Sequence, residues 1–253
     1  MSDEPPLAGE AALVTGASAG IGRETAMALA ADGADVAIAA RREERLESIA
    51  SDLESEHDVE TLVVPTDVGE EASVEAMVTD AVSAFGRLDV VVANAGTGTG
   101  PGIPVEDLPT EQYRTVTDVN VDGVFFTARA ALPHLRATAG TLVFVASFAG
   151  KYPRPGSPVY AATKWWTRGF ALSLAGQVGG DDVAVTVVNP SEVRTEFGKE
   201  FREGAELAKE RFDPADVTNP EDVAAAVAYA ARTESPNAVT ELDLFRRDKF
   251  EGW

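Results

Sequence analysis

The chain contains no cysteine among its 253 residues, which excludes disulfides and thiol oxidation. No apolar run reaches the length needed to cross a membrane, and residues 1–6 lack the basic and apolar regions of a signal peptide. These absences predict a cytoplasmic protein that has no membrane partner. No metal site is predicted.

Positive charge is scarce: 21 lysine and arginine residues stand against 42 aspartate and glutamate residues, which gives a net charge of -21. A surface this acidic repels nucleic acid and anionic membranes, so neither is predicted as a partner. Two explanations for the acidity remain open. It is either a general solubility bias or, as we favour, an adaptation to high intracellular salt, because salt screens the repulsion between dense carboxylates.

A glycine-rich turn separates a predicted strand from a predicted helix near the N-terminus. Residues 11–14 are typical of a buried strand, and residues 23–30 favour a helix. In the turn, Gly16 allows a sharp bend, Gly20 leaves room for a pyrophosphate, and Gly22 allows close packing of helix and strand. The helix start then presents free N–H groups to the anion. The alternative is an ordinary loop that contains glycines, but the order and spacing favour nucleotide binding.

Tyr160 and Lys164 are four residues apart, and Ser147 lies thirteen residues before Tyr160. On a helix this spacing puts the phenol and the ammonium on one face, one turn apart. A phenol has an ordinary pKa of about 10, and a neighbouring cation lowers it toward the range useful for acid–base catalysis. Such a pair is common by chance, so its interpretation depends on the rest of the chain.

Together these features resemble the short-chain dehydrogenase/reductase family over nearly the whole chain. The chain departs from the family pattern at Ser191, where glycine is usual. The matching motifs follow the family order: Thr15-Gly16 with Gly20 and Gly22, Asn94-Ala95-Gly96 after an apolar run, Asn120, Ser147 after an apolar run, Tyr160 with Lys164, and Asn189-Pro190 followed by Val193 and Thr195.

The resemblance implies a catalytic tetrad of Asn120, Ser147, Tyr160 and Lys164. Tyr160 is then the general acid in carbonyl reduction and the general base in alcohol oxidation, while Lys164 lowers its pKa and binds the nicotinamide ribose. Ser147 donates to the substrate oxygen, and Asn120 holds a water that links Lys164 to solvent. The cofactor contacts that the resemblance and the local pattern imply are Gly16, Ser18, Gly20, Ile21, Gly22, Arg41, Arg42, Asp67, Val68, Asn94, Ala95, Gly96, Tyr160, Lys164, Pro190, Val193 and Thr195.

The residues after the second predicted strand favour NADP over NAD. NAD-dependent enzymes usually place an acidic residue there for the ribose 2′-hydroxyl. This chain has Arg41 and Arg42, which are suited to a 2′-phosphate, with Ser18 as a further contact. The alternative for the arginine pair is a solvated helix start, which is unfavourable for cations. Asp67-Val68 resembles the family's adenine-binding pair, although Asp67 could instead cap the next helix.

Apolar runs separated by helix-forming stretches predict a single α/β domain over residues 1–253. The expected architecture is a Rossmann-like doubly wound parallel sheet of about seven strands with helices on both faces. Two predicted loops follow strand ends, at 97–109 and at 195–216, and the second is expected to cover the substrate. The strands after the first are predicted at residues 36–39, 62–64, 90–93, 142–146, 183–188 and 239–244.

The predicted function is hydride transfer between NADP(H) and a carbonyl or secondary-alcohol substrate. The C-terminal half is similar to the subgroup of NADP-dependent 3-hydroxy acid and serine dehydrogenases, which leaves the substrate open. Lys151 and Arg154 either bind a substrate carboxylate or, as we favour, form surface salt bridges. The resemblance also implies a homotetramer or homodimer, with the helices that carry Asn120 and Tyr160 at the interface.

Two other classes of function are less well supported. A non-catalytic NADP(H)-binding regulator on the same fold is expected to have lost part of the tetrad, which is complete here. An isomerase or dehydratase of the extended relatives is expected to have a longer C-terminal domain and a different glycine spacing. The regulator is kept as the alternative to the enzyme.

Overall fold

The computed structural model describes residues 4–100, 102–197, 213 and 216–251. Its strands are β1 (Ala11–Thr15), β2 (Asp35–Ala40), β3 (Thr61–Pro65), β4 (Val90–Ala93), β5 (Thr141–Val145), β6 (Ala184–Pro190) and β7 (Glu241–Leu244). They form one sheet of seven strands, in the order β3-β2-β1-β4-β5-β6-β7, and all neighbouring strands are parallel.

Helices cover both faces of the sheet. The α-helices of the described residues are α1 (Gly20–Ala31), α2 (Glu43–Glu56), α3 (Glu71–Phe85), α4 (Thr110–Thr117), α5 (Gly123–Thr138), α6 (Pro158–Val178) and α7 (Pro220–Ala231). Helices α3, α5 and α6 pack on one face, and α1, α2 and α7 pack on the other. The predicted doubly wound α/β fold is therefore confirmed.

The strand interiors belong to two cores, because successive side chains of a strand point to opposite faces. In β1, Leu13 packs with the core under α3, α5 and α6, whereas Ala12 and Val14 pack with the core under α1, α2 and α7. All three side chains are fully buried. Burial on both faces explains why the central strands are continuous apolar runs in the sequence rather than alternating ones.

The strand order determines where on the sheet the candidate site lies. From β1 the chain moves outward through β2 to β3 and then returns to the other side of β1 as β4. The loops after β1 and β4 therefore diverge and leave a crevice at the carboxyl edge of the sheet, which is where ligands bind in such folds. The glycine turn follows β1, residues 94–96 follow β4, and Ser147 follows β5 at the same edge.

The predicted loops differ from expectation in one detail. A short 3-10 turn, Val105–Asp107, interrupts the loop predicted at 97–109. Of the loop predicted to cover the substrate, residues 198–212 and 214–215 lie outside the described residues. No described helix has the length and apolar character required to cross a membrane.

Candidate active site

The three glycines of the turn after β1 lie where a side chain would collide with its surroundings. Gly16 has a left-handed φ of 68°, and a Cβ there would lie 2.8 Å from the Cα of Ala95. Gly20 has a φ of 55°, and an added Cβ would lie 2.9 Å from Cγ2 of Thr195. An added Cβ on Gly22 would lie 2.4 Å from the carbonyl oxygen of Gly16. The backbone conformation at Gly16 and Gly20 and the close contact at Gly22 therefore require glycine.

The Thr15 hydroxyl connects the glycine turn to β4. It donates to the Val92 carbonyl at 3.2 Å and accepts from the backbone N–H groups of Asn94 at 3.0 Å and Ala95 at 3.1 Å. The Asn94 side chain donates to the carbonyls of Thr15 at 2.8 Å and Gly16 at 3.4 Å. Asn94 and Ala95, predicted as cofactor contacts, thus support the glycine turn, with Thr15 as the link between the two motifs.

The amino-terminal end of α1 is open to an anion. Its N-cap residue, Ala19, makes no side-chain hydrogen bond, and the first turn contains no acidic residue. A cleft of about 360 Å³ lies beside this end, with Ser18, Gly20 and Thr195 in its walls, while Ile21 packs partly into the core. Uncapped N–H groups and the helix dipole suit a pyrophosphate. The residues present therefore fit the predicted dinucleotide cofactor.

Arg41 and Arg42 lie between β2 and α2 and are both exposed. Arg42 is the N-cap residue of α2, and its Nη2 donates to Oγ of Ser18 at 2.7 Å. Helix α2 itself begins with the acidic residues Glu43 and Glu44, so the arginines precede its first turn. The structure thus brings Arg42 to the Ser18 hydroxyl of the glycine turn, and Arg41 immediately precedes Arg42 in the chain.

Asp67 and Val68 follow β3. The Oδ1 atom of Asp67 accepts from the backbone N–H of Gly69 at 3.0 Å, and α3 begins only at Glu71. The alternative in which Asp67 caps the next helix is therefore wrong, because its carboxylate forms a local turn before that helix. Val68 is buried beneath the start of α5, where a Cβ added to Gly123 would lie 2.8 Å from its Cγ2.

The segment after β6 runs past the glycine turn. Pro190 ends β6, Val193 forms a bridge with the segment before α7, and Thr195 contacts the glycine turn. Ser191, which replaces the usual glycine of the family, does not have a left-handed φ. Its Oγ accepts from the backbone N–H of Arg246 at 3.4 Å. The departure from glycine therefore introduces no backbone strain.

The predicted catalytic hydroxyls meet at the carboxyl end of β5. The Oγ of Ser147 accepts from the backbone N–H of Ala149 at 3.1 Å, and Ser147 is near enough to Tyr160 to influence the pKa of its phenol. The Tyr160 ring is half-buried and packs against Phe197, with ring centroids 5.4 Å apart. Burial raises the pKa of the phenol, while the Ser147 side chain and the charge of Arg154 oppose that increase.

Lys164 lies one turn after Tyr160 on α6 and is buried. Its Nζ donates to the Val145 carbonyl at 2.9 Å, and burial lowers the pKa of its ammonium from 10.5 to about 8. The expectation that Lys164 lowers the pKa of Tyr160 is not met in this structure. The ammonium is directed to Val145, and burial is the largest influence on the phenol.

Asn120 lies in the π-helical segment Asp118–Asp122, between α4 and α5, and is fully buried. Its Oδ1 accepts from the backbone N–H of Thr97 at 2.9 Å, and its Nδ2 donates to the Thr97 carbonyl at 2.8 Å. The Nδ2 also donates to Oγ1 of Thr163 at 3.0 Å. Asn120 therefore fastens the loop after β4 to α6.

The four tetrad residues come together around this loop. The Asn120 Oδ1 and the Lys164 Nζ each lie 3.4 Å from the position that a Cβ on Gly96 would occupy. The Lys164 Nζ also donates to the Val145 carbonyl, two residues before Ser147, and Tyr160 precedes Lys164 by one turn of α6. The structure thus brings the four residues to one edge of the sheet, and their catalytic roles stay a prediction.

Two threonines complete the site without belonging to any predicted motif. Thr97 and Thr163 supply the described hydrogen-bond partners of the Asn120 side chain. Only their positions in the sequence could have indicated that these threonines belong to the site, since Thr97 directly follows Gly96 and Thr163 directly precedes Lys164.

Comparison with known proteins identifies the family. Residues 10–206 match the family model described as short chain dehydrogenase, and this stretch runs from β1 past β6. The chain belongs to the short-chain dehydrogenase family. The matched stretch includes the glycine turn and all four tetrad residues.

Two curated relatives are about equally similar to this family member. Sulfoacetaldehyde reductase 2 of Chromohalobacter salexigens is 34% identical over 236 residues, which cover 92% of this chain and 92% of that protein. Glycine betaine reductase ATRR of Emericella nidulans is 34% identical over 247 residues. That match covers 96% of this chain but 19% of the fungal protein, which is much longer.

Solved structures of the family superpose closely. An alcohol dehydrogenase from the archaeon Thermococcus sibiricus, complexed with 5-hydroxy-NADP, has a TM-score of 0.84 and 33% identity over 93% of this chain and 95% of that one. A 3-ketoacyl-(acyl-carrier-protein) reductase from Brucella melitensis, complexed with NADH, has a TM-score of 0.82 and 30% identity over 94% of this chain and 98% of that one. Family membership and these relatives identify an oxidoreductase that uses a nicotinamide cofactor and acts on an alcohol or carbonyl group.

Gly22→Ala should destabilise the protein, because an alanine Cβ would lie 2.4 Å from the Gly16 carbonyl oxygen. Overpacking of this kind costs about 1–3 kcal/mol. Gly176→Ala is the matched control: Gly176 also lies inside a helix, α6, but nothing lies within 4 Å of an added Cβ. There alanine should raise the free energy of unfolding by about 0.5–1 kcal/mol. Urea unfolding measures both effects, and similar behaviour of the two variants would contradict the packing role of Gly22.

Lys164→Met should stabilise the cofactor-free protein at pH 7. The depressed pKa of Lys164, about 8 against 10.5, corresponds to an unfavourable charging energy of about 3 kcal/mol. Leaving the Val145 carbonyl without its donor costs about 1–2 kcal/mol, so the expected net gain is about 1–2 kcal/mol.

The pH dependence of this gain has a definite sign. The folded protein disfavours the proton on Lys164, so the penalty is fully present below the folded pKa of about 8 and disappears as the pH rises to the unfolded value of 10.5. The advantage of Lys164→Met should therefore shrink between pH 8 and pH 10.5. Unfolding of both proteins across this range tests the claim, and a constant difference would refute it.

Proposed function

We propose that the protein is an NADP-dependent oxidoreductase that transfers a hydride between NADP(H) and a carbonyl or secondary-alcohol substrate, with Tyr160 as the general acid and base. The observation that carries this proposal is that Lys164, one turn after Tyr160 on α6, directs its buried ammonium to the Val145 carbonyl, two residues before Ser147. The three groups lie at the carboxyl edge of the sheet, on the same edge as the glycine turn. The intact tetrad favours an enzyme over a non-catalytic regulator.

Each side chain has a role that follows from its chemistry. The bound cofactor supplies the hydride acceptor and donor, at C4 of its nicotinamide. Ser147 donates a hydrogen bond to the substrate oxygen as charge develops there. Tyr160 exchanges a proton with the same oxygen. Lys164 would hold the nicotinamide ribose of the cofactor, and Asn120 keeps the loop after β4 in place through its bonds to Thr97.

The protonation state of Tyr160 near neutral pH suits carbonyl reduction. Burial raises the pKa of the Tyr160 phenol, so the phenol carries its proton at neutral pH. The protonated form is the one that reduction needs, because it donates to the developing alkoxide. Alcohol oxidation needs the phenolate and is therefore expected to speed up at alkaline pH.

Tyr160→Phe keeps the ring that packs against Phe197 but removes the group that transfers the proton. Because general acid–base catalysis contributes about a hundred- to ten-thousandfold, kcat should fall by at least that lower factor while NADPH still binds. Consumption of NADPH with a panel of aldehydes, ketones and sugars in KCl measures kcat, and fluorescence titration measures cofactor binding.

Tyr229→Phe is the matched control for this experiment. Tyr229 lies on α7 with 59% of its surface exposed, and it should tolerate loss of its hydroxyl without effect on kcat. Retention of more than about a tenth of the wild-type kcat by Tyr160→Phe would show that another group donates the proton.

Selection of NADP over NAD is supported by the arginine pair. Arg41 and Arg42 precede α2, and the hydrogen bond from Arg42 to Ser18 holds one guanidinium beside the glycine turn. Guanidinium groups bind phosphate through charge-assisted hydrogen bonds, whereas NAD has only a hydroxyl at the same position.

Replacing Arg41 and Arg42 by alanine together should weaken NADP binding by about tenfold or more and leave NAD binding nearly unchanged. The matched control is the double variant of Arg129 and Arg136 to alanine. These two arginines are exposed on α5 and form surface ion pairs, so the control removes the same charge elsewhere. Titration of each variant with both cofactors gives the affinities. Equal weakening of NADP and NAD binding would contradict the role of Arg41 and Arg42 in selecting NADP.

An exposed aromatic face supports the proposal of a homodimer or homotetramer. Phe125 on α5 and Trp165 and Trp166 on α6 are 38%, 47% and 36% exposed. Trp166 stacks on Phe170 with ring centroids 4.9 Å apart, and Phe125 lies against the same ring. Large apolar side chains on the surface of so acidic a protein favour burial against a second copy.

The acidity itself supports the proposal of a cytoplasmic protein adapted to high salt. With a net charge of -21, repulsion between like charges destabilises the folded protein in dilute buffer. Screening at high ionic strength removes that repulsion.

A further inference from the structure

The turn that begins at Ser147 packs directly on the backbone of α6. Ser147 is the N-cap residue of the 3-10 turn Phe148–Gly150. A Cβ added to Gly150 would lie 2.7 Å from the carbonyl oxygen of Lys164, so the two backbones are in close contact. A displacement of this turn therefore moves the Ser147 hydroxyl relative to the helix that carries Tyr160 and Lys164.

The other side of the turn is covered by the C-terminal residues 245–251. The Phe148 ring stacks on Tyr152, with ring centroids 4.5 Å apart, and meets Phe245 edge to face at 5.1 Å. Phe250 lies 5.5 Å from Tyr152, again by ring centroids. The four rings therefore form one aromatic cluster that joins the turn to the C-terminal residues.

The segment after β6, residues 191–195, is attached to the same C-terminal residues. The backbone N–H of Ser191 donates to the Leu244 carbonyl at 3.0 Å, and its Oγ accepts from the backbone N–H of Arg246 at 3.4 Å. The second bond depends on a side chain that glycine, the usual residue of the family at this position, does not have. The departure at Ser191 thus adds a contact between this segment and the C-terminal residues.

Lys249 links the turn after β5 to the segment after β6. Its Nζ forms a direct ion pair with the Glu192 carboxylate and lies 4.3 Å from the centre of the Phe148 ring. The Lys249 side chain is only 12% exposed, so water screens these interactions weakly. Burial would raise the pKa of the Glu192 carboxyl, but the hydrogen bond and the charge of Lys249 keep it below its ordinary value.

No other described cation holds Glu192 so closely. The Nη1 of Arg154 lies 3.9 Å from its Oε1, while its Oε2 is buried without a hydrogen-bond partner among the described residues. Lys151, the other cation of the loop before α6, pairs with Asp243 at 2.7 Å. Both cations thus form ion pairs, as favoured from the sequence. Without Lys249, Glu192 would be a partly buried carboxylate with one distant cation, which is unfavourable unless the segment shifts toward water.

We propose that Lys249 is a positioning residue that holds the Ser147 hydroxyl and the segment after β6 in one arrangement. It acts through Phe148, which directly follows Ser147, and through Glu192, which directly precedes the predicted cofactor contact Val193. The assignment rests on the proposed hydride transfer, in which the substrate oxygen and the cofactor must be aligned. A misplacement of about 1 Å in such a geometry can lower the rate by about a hundredfold.

Lys249→Met removes the charge but keeps an unbranched side chain. Because the turn and the segment are then no longer held together, kcat should fall by about ten- to hundredfold, while KM for the carbonyl substrate should change by less than about threefold. Lys249→Arg keeps both interactions and should retain kcat within about threefold of the wild type. An unchanged kcat in Lys249→Met, or an equal loss in Lys249→Arg, would overturn the proposal.

Glu192→Leu distinguishes positioning from a simple effect of charge. This variant removes a negative charge, whereas Lys249→Met removes a positive one, so an electrostatic influence on the site would change kcat in opposite directions. If the ion pair positions the site, both variants lower kcat, and the double variant is no worse than the weaker single variant within about twofold. Opposite changes in kcat, or losses that multiply in the double variant, would contradict the proposal.

Arg232→Met is the matched control for the loss of an ion pair. Arg232 donates two hydrogen bonds to Asp32, at 2.5 and 2.6 Å. The two residues follow α7 and α1 at the helix ends that lie away from the glycine turn. Thermal unfolding compares the stability of this variant with that of Lys249→Met, and kcat of Arg232→Met should stay within about twofold of the wild type. A loss of kcat as large as in Lys249→Met would assign the effect to stability and refute the positioning role.

Hydrogen exchange separates this proposal from the proposed function. The backbone N–H groups of residues 148–152 and 191–195 should exchange at least about tenfold faster in Lys249→Met than in the wild type, while those of β1 should not change. If the wild type reduces no substrate, the proposed function fails, but faster exchange in both segments still supports the positioning role of Lys249. Unchanged exchange in either segment overturns that role, even where the wild type is an active reductase.

Discussion

The structure depends on one constraint, which is that all seven strands of the sheet point the same way. Parallel neighbours cannot be joined by a tight hairpin, so helices must cross over between them and cover both faces. The same constraint places every strand's carboxyl end at one edge. Where the order reverses between β1 and β4, the Thr15 hydroxyl bridges the two strand ends. The glycine turn and the tetrad share an edge for this reason.

The site keeps buried polar groups that a core selected only for stability would replace. Lys164 is buried with an ammonium whose pKa falls to about 8, and its described hydrogen bond goes to a single backbone carbonyl. Asn120 is fully buried as well, but three hydrogen bonds to Thr97 and Thr163 satisfy its amide. This difference in hydrogen bonding indicates that Asn120 and Lys164 have different tasks. Asn120 stabilises the arrangement of the loop and the helix, whereas the buried ammonium of Lys164 lowers stability and is explained by the catalytic role proposed for it.

Features that depend on local order were predictable from the sequence. The central strands are buried on both faces, so they are continuous apolar runs, and each predicted strand ends within two residues of the observed one. The glycine turn was equally predictable from the sequence. A left-handed φ at Gly16 and Gly20 and a close backbone contact at Gly22 exclude other residues at these positions. The helical spacing of Tyr160 and Lys164 also follows from neighbouring positions in the chain.

The tertiary structure decided which residues that are far apart in the sequence become partners. The pairing of β6 with β7 brings Asp243 to Lys151, 92 residues earlier, and leaves Arg154 without so close a carboxylate. The sequence predicts a lowered pKa for the Tyr160 phenol, but burial raises it. Burial of this side chain cannot be read from the neighbouring residues in the sequence. The sequence by itself determined the strands and the glycine turn, because these follow from spacing along the chain, whereas the tetrad is a prediction from the family resemblance. Charge states and ion pairs were decided only by the fold, because they depend on distance and solvent access in space.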